Sequence, residues 1–165
     1  MLCGVFGNIG SGKTLLLVFF LKYLNYANKY ANFTTKIKEV KPITLGELLN
    51  MNFSLDNKTL VTLDEAYIEL DSRRSLKKKN IDISHLVFQS RKRNVDIIYA
   101  SQLRGSVDLR LRDLTQINIL ALGKNNKNSF VYYIHEFDKF FTIPNEIAEM
   151  LFKLYDTYEI VEPLK

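Results

Sequence analysis

The sequence predicts an α/β fold, with a mainly parallel sheet, helices on both faces and an antiparallel hairpin near the C-terminus. Three observations carry that expectation. Strand-like apolar runs alternate with helix-like segments, the order that builds parallel sheets. The runs Leu60 to Leu63 and Val95 to Ala100 are almost unbroken in their apolar character, as strands covered on both faces are. Near the C-terminus two apolar runs flank Gly123-Lys124-Asn125-Asn126-Lys127-Asn128, which is turn chemistry between antiparallel neighbours.

Taken in order, Leu2 to Phe6 reads as a buried strand that runs into a glycine-rich turn. Lys13 to about Ala27 is expected to be helical, and its first half, Leu15 to Leu21, is apolar on every side and therefore deeply buried. Tyr30 to Ile37 alternates and is rich in β-branched residues, a second strand. A short helix from Leu45 to Met51 follows Pro42 and Thr44, and Phe53 to Lys58 is loop. The third strand, Leu60 to Leu63, ends in Asp64-Glu65. Ala66 to about Lys79 is polar, and Asp82 or Ser84 can cap a helix through Leu86 to Arg93, with Asn94 as its stop. Val95 to Ala100 is the fourth strand, ending at Ser101-Gln102, and Val107 to Leu114 suggests one or two helical turns. Ile117 to Leu122 and Phe130 to Ile134 form the hairpin. Tyr132, Tyr133, Phe137, Phe140 and Phe141 have the alternation of a half-buried hairpin, with a base-stacking platform as the alternative. An amphipathic helix from Pro144 to about Tyr155 closes the chain.

Composition sets bounds on function. A chain of 165 residues with 47% hydrophobic and 25% charged residues is expected to form one globular domain spanning 1–165. It needs no disulfide staples, since a chain of this size buries roughly two thirds of its unfolded surface. Its one cysteine, Cys3, excludes an intrachain disulfide or a cysteine metal cluster and reads as a core residue in a reducing, intracellular setting. No signal peptide is expected, and the longest apolar run, Leu15 to Leu21, falls short of the roughly 20 residues of a membrane span. The net charge of +5 permits a polyanionic partner without demanding one. Basic residues cluster at Arg73, Arg74, Lys77, Lys78 and Lys79 and again at Arg91, Lys92 and Arg93, either as a solvated surface or as contacts to nucleotide and DNA backbone. His85 and His135 have no accompanying ligand set.

The chemistry is concentrated in two segments. Gly7-Asn8-Ile9-Gly10-Ser11-Gly12-Lys13-Thr14 matches G-x-x-x-x-G-K-[ST], with an apolar strand before it and a helix after it. The glycines allow backbone N–H groups to converge on a phosphate at a helix N-terminus. Lys13 would reach the β- and γ-phosphates of ATP, and Thr14 would offer its hydroxyl to Mg²⁺. Opposite, the buried strand Leu60 to Leu63 would bring Asp64 to Mg²⁺ through a water and Glu65 to an attacking water, which it would orient and deprotonate; the alternative is that Glu65 caps the next turn. Gln102, at the tip of the fourth strand, is a candidate sensor of the γ-phosphate, or else a loop glutamine. Arg91 and Arg93 are the first candidates for an arginine that neutralises transition-state charge from a neighbouring subunit, with Arg73, Arg74, Arg104, Arg110 and Arg112 behind them.

Several segments together resemble the HerA/FtsK superfamily of P-loop ATPases, and more narrowly the genome-packaging ATPases of archaeal and membrane-containing viruses and the zonula occludens toxin-like proteins of filamentous phages. They are GNIGSGKT at Gly7 to Thr14, Tyr30-Ala31-Asn32-Phe33, LVTLDEA at Leu60 to Ala66, and Asp71-Ser72-Arg73. FQSRKRNVDIIYASQ from Phe88 to Gln102, VDLRLRD from Val107 to Asp113 and YDTYE from Tyr155 to Glu159 complete the set. The resemblance implies a RecA-like (ASCE) core whose fourth strand lies between the Gly7 strand and the Asp64 strand. It implies an ATPase that assembles as a ring, a hexamer, and moves double-stranded DNA. It assigns Lys13 and Thr14 to nucleotide and Mg²⁺, Asp64 and Glu65 to metal and water, Gln102 to sensing, and the arginine finger to Arg91 or Arg93. The implied partners are the viral genome and capsid or inner-membrane virion proteins, in the host cytoplasm or associated with the virion. Toxin-like relatives usually carry a membrane span, and none is visible here. The competing readings are a phage assembly or extrusion ATPase at a membrane and a small-molecule kinase.

Overall fold

A computed structural model describes residues 1–53, 55–65, 94–102, 105, 107 and 109–156. Eight strands form one sheet: β1 (Leu2–Phe6), β2 (Asn28–Ala31), β3 (Val40–Pro42), β4 (Thr59–Leu63), β5 (Val95–Ser101), β6 (Ile117–Lys124), β7 (Phe130–Ile134) and β8 (Lys139–Ile143). The described helices are α1 (Lys13–Tyr23), α2 (Leu45–Asn50), α3 (Leu109–Leu114) and α4 (Asn145–Phe152). The strand order is β3-β2-β4-β5-β1-β6-β7-β8, parallel from β3 to β6 and antiparallel from β6 to β8. The fourth strand of the sequence reading, β5, therefore lies between the phosphate-loop strand and the Asp64 strand, as expected.

Side-chain alternation divides the sheet's two faces between two cores. Cys3 and Val5 of β1, Leu60 of β4, and Ile98 and Ala100 of β5 join Leu15 to Val18 and Leu21 of α1 and Ala148 and Leu151 of α4. Leu2 and Phe6 of β1, Val61 and Leu63 of β4, and Ile97 and Tyr99 of β5 join Leu48 of α2 and Leu111 of α3 on the other side. Helices thus cover both faces. Cys3 is buried, and burial followed by the Glu136 charge pushes its thiol up to about 12, as befits a core residue rather than a nucleophile.

Several elements depart from the sequence reading, among them the last helix, which ends at Phe152 rather than near Tyr155. The first helix ends at Tyr23, not near Ala27: Leu24 turns extended while its N–H still bonds the Phe20 carbonyl. The second strand is Asn28–Ala31, not Tyr30 to Ile37. Beyond Ala31 the chain leaves the ladder, and Thr35 and Lys36 pair with the C-terminal segment at Tyr155 and Leu154. The C-terminal hairpin is a three-stranded meander, because β8 follows a tight turn at Asp138, which takes φ 49°. The short β3 was also not anticipated. The α2 helix begins as its sequence suggests, with Thr44 and Glu47 completing a reciprocal capping box. Among the described residues no helix is long and apolar enough to cross a membrane.

Candidate nucleotide site

The parallel strands bring their C-terminal tips together at one edge of the sheet, where open α/β sheets place ligands. Phe6 of β1 is paired with Ser101 of β5, and Leu63 of β4 with Tyr99 of β5. The glycine-rich loop, the acidic pair and Gln102 therefore follow three adjacent strands.

The loop fits close approach to an anion. Gly12 precedes α1 in the left-handed region, at φ 92°, and a Cβ there would lie 2.6 Å from the Phe130 ring. A Cβ on Gly7 would lie 2.5 Å from the Ala121 carbonyl oxygen. The first N–H groups of α1 have no acceptor within the helix and present the positive end of its dipole. Ser11 is buried, and its Oγ has no hydrogen-bond partner among the described residues, a polar atom suited to a phosphate oxygen. Ile9 at the loop's tip is 82% exposed. Lys13 donates to the Gly7 and Asn8 carbonyls, each at 2.9 Å, which holds its ammonium over the loop. Burial lowers its pKa, while the charges of Asp64 and Glu65 pull it the other way.

Across from the loop, the Thr14 hydroxyl donates to Asp64 Oδ2 at 2.6 Å. Asp64 is 6% exposed, and its Oδ1 accepts the Glu65 N–H at 2.9 Å. Burial pushes its carboxyl above the usual range, against the lowering effect of those hydrogen bonds. A half-buried hydroxyl and a buried carboxylate meeting at the mouth of a phosphate loop are hard oxygen donors suited to Mg²⁺, which takes few protein ligands and completes its shell with phosphate and water. No cluster of three acidic, histidine or cysteine ligands occurs among the described residues.

Glu65 adopts φ 49°, an uncommon conformation for a non-glycine residue and one that concentrates at functional sites. Gln102 Nε2 lies 3.5 Å from Glu65 Oε1, the outer limit of a hydrogen bond. The structure thus brings Lys13, Thr14, Asp64, Glu65 and Gln102 to one place. Arg91, Arg93, Arg73, Arg74, Arg104 and the basic stretch through Lys79 lie outside the described residues, as does the predicted helix from Leu86 to Arg93. Arg112 lies on α3.

Two contributors were not singled out as site residues by the sequence reading. Asn32, just past β2, donates from Nδ2 to the Asp64 carbonyl at 3.0 Å, and its Oδ1 accepts the Asp64 N–H at 2.7 Å. Its side-chain amide takes the place of a neighbouring strand's peptide and fixes the backbone from which the acidic pair projects. Tyr132 of β7 donates to the Gly12 carbonyl at 2.9 Å. Neither contact has a local sequence signal, because the partners are 32 and 120 residues apart.

This fold is the RecA-like α/β fold of P-loop proteins, with the glycine-rich loop and the acidic pair at the strand tips where that fold places them. Among solved structures, the N-terminal domain of zonular occludens toxin from Neisseria meningitidis superposes with a TM-score of 0.60 at 18% identity, covering 94% of this chain and 98% of that one. The DNA-packaging ATPase B204 of Sulfolobus turreted icosahedral virus superposes with a TM-score of 0.57 at 12% identity, covering 87% and 97%. The genome-packaging NTPase B204 of Sulfolobus turreted icosahedral virus 2, in complex with ATP-gammaS, gives 0.53 at 11% identity, with coverage of 87% and 97%. No protein-family model matches the sequence, and no curated protein matches it.

Proposed function

We propose that the chain is a single-domain ATP-hydrolysing motor of the HerA/FtsK superfamily that moves double-stranded DNA, in the manner of a viral genome-packaging ATPase. The observation that carries the reading is the junction of loop and acidic strand, where Thr14 meets Asp64 at 2.6 Å beside Glu65. Gly7 to Thr14 would cradle the triphosphate, Lys13 would pair with its β- and γ-oxygens, and Thr14, with Asp64 acting through a water, would hold Mg²⁺, which would supply neutralising charge to the phosphates. Glu65 accepts a proton from water as the water oxygen bonds to the γ-phosphorus. The bond from that phosphorus to the β–γ bridging oxygen breaks, and ADP leaves with the electron pair. Gln102 orients Glu65 and the water and senses the γ-phosphate.

Packaging needs no sequence readout, so phosphate contacts from lysine and arginine suffice, with Arg73 to Lys79 as the first candidates. The reading includes a hexameric ring in which Arg91 or Arg93 enters the neighbouring copy's site. It also includes docking to capsid or inner-membrane virion proteins in the host cytoplasm. The decisive experiment is Mg-ATP turnover with and without duplex DNA. We expect stimulation by DNA that weakens steeply between about 50 and 200 mM salt. Lys13→Ala should lower hydrolysis by about 10²- to 10³-fold and Glu65→Gln by about 10²- to 10⁴-fold. A wild-type protein that turns over no ATP, or that hydrolyses it at a rate indifferent to duplex DNA, sinks the proposal.

A second reading is supported by the fuller superposition on the zonular occludens toxin domain, at 94% of this chain against 87% for the packaging ATPase. In that reading the same site drives phage assembly or extrusion at a membrane, and the substrate is a coat protein or a single-stranded genome. Stimulation by single-stranded DNA or coat protein, with none by duplex, would select it.

A further inference from the structure

The antiparallel meander at the C-terminal side of the sheet is bonded directly to the phosphate loop. Phe130 and Tyr132 of β7 point to the same face, and a Cβ on Gly12 would meet both, 2.6 Å from the Phe130 ring and 2.9 Å from the Tyr132 hydroxyl. Tyr132 is fully buried, and its ring stacks on Phe141 of β8 with centroids 5.0 Å apart and an interplanar angle of 18°. Its hydroxyl donates to the Gly12 carbonyl at 2.9 Å, and the same carbonyl accepts the Leu16 N–H at 3.0 Å. Burial, followed by the charge of Tyr155, raises the phenol's pKa, so the hydroxyl stays protonated and remains a donor.

Gly12 is the hinge of the loop, since its left-handed backbone turns the chain from the glycine run into α1. The orientation of its peptide sets the aim of the N–H groups that follow it. A hydroxyl held by a rigid, stacked and buried ring fixes that peptide from the side opposite the ligand.

We infer that Tyr132 is a positioning residue for the phosphate loop, so that the C-terminal meander is part of the nucleotide site rather than only its scaffold. The inference rests on the NTPase reading for its ligand. It predicts a split between binding and turnover: Tyr132 acts on the loop that holds phosphates, while the acidic pair projects from Asn32-clamped backbone elsewhere.

The test is Tyr132→Phe, which removes one hydroxyl and keeps the ring. Loss of one such hydrogen bond should raise the Kd for Mg-ATP by about three- to tenfold. The kcat at saturation should stay within about twofold, because no transition-state contact is removed. Tyr133→Phe is the control. Its hydroxyl bonds Asp138 at 3.0 Å on the opposite face of the same strand, so it removes a phenol hydrogen bond, an exposed one, without touching the loop. Hydrogen exchange in nucleotide-free protein supplies a readout that needs no turnover: the bonded amides that flank the hinge, Ser11 to the Asn8 carbonyl and Leu16 to the Gly12 carbonyl, should exchange faster in Tyr132→Phe than in wild type or Tyr133→Phe. Unchanged affinity in Tyr132→Phe, a shift matched by Tyr133→Phe, or unchanged exchange at the loop overturns the inference. Wild-type protein that binds no Mg-ATP defeats the NTPase reading instead, and the exchange comparison still decides the role of Tyr132.

Discussion

At the scale of single residues, the backbone of Glu65 separates what the site needs from what the fold prefers. A left-handed conformation at a residue with a Cβ costs roughly 1–2 kcal/mol, and here it falls on the residue assigned to activate water. Glycine accepts that conformation and alanine does not. Glu65→Gly should therefore be more stable than Glu65→Ala by about 1 kcal/mol in denaturant unfolding, even after the extra freedom glycine gives the unfolded chain. Both variants should lose hydrolysis. Equal stability of the two would show that this backbone geometry is not held in solution. Nothing in Leu63-Asp64-Glu65 forecasts the left-handed turn, because glutamate carries no preference for it. The acids themselves were legible, because an acid pair at the tip of an apolar strand is a local pattern.

At the scale of elements, β2 matters more for where it stops than for its length. Its ladder with β4 runs from Asn28–Thr59 to Ala31–Thr62, and Asn32 then replaces the next peptide with its own side chain. An amide can donate to one Asp64 backbone group and accept from the other; an aspartate at this position could only accept. Asn32→Ala should lower kcat by about 10-fold or more, since a small misplacement of catalytic groups is costly, while nucleotide affinity changes little. Thr62→Val is the matched control: it removes the Thr62 hydroxyl bond to the Tyr30 carbonyl at 3.2 Å in the same ladder and touches neither acid. A kcat loss in Asn32→Ala no larger than in Thr62→Val would reduce Asn32 to a structural residue. The sequence extended this strand to Ile37 because alternation continues past Ala31, and alternation cannot show that a side chain has taken over the ladder. For a similar reason the end of α1 was misplaced, since a helix apolar on every side offers no amphipathic phase with which to mark its last turn. The short edge strand β3 exists through its pairing with β2, which no local pattern records.

At the scale of the whole molecule, the two ends of the parallel sheet have different jobs. The phosphate-loop motif and the alternation of strands and helices were readable, because each is a pattern within a segment or repeats along the chain, while the order of β5 between β1 and β4 came from the family resemblance alone. What closes the molecule was not readable, because it joins distant segments: Tyr132 to Gly12, Tyr155 to Thr35, and a charge cluster at the pole opposite the site. There Asp96 of β5 receives the Met1 ammonium at 2.5 Å, the Tyr26 hydroxyl at 2.7 Å and the Lys58 ammonium at 3.3 Å. Burial alone would raise the Asp96 carboxyl, but hydrogen bonds from the ammonium and Tyr26, with the charges of the ammonium and Lys58, hold it below its ordinary 3.8. A folded-state value below the unfolded one means that the contribution is fully present above about pH 4 and is lost as pH falls through the depressed value. Lys58 is 54% exposed and adds little, so most of the effect belongs to the ammonium and the hydroxyl. Asp96→Asn should cost about 1–2 kcal/mol near neutral pH, as loss of hydrogen bonds to a charged group does. The melting temperatures of wild type and variant should converge as pH drops from about 5 towards 2. Hydrolysis per folded molecule should be unchanged, because the cluster lies at the other end of strands whose tips carry Asp64 and Gln102. A stability gap that persists at pH 2, or a variant that folds but turns over ATP more slowly, would show that the two ends of the sheet are not independent.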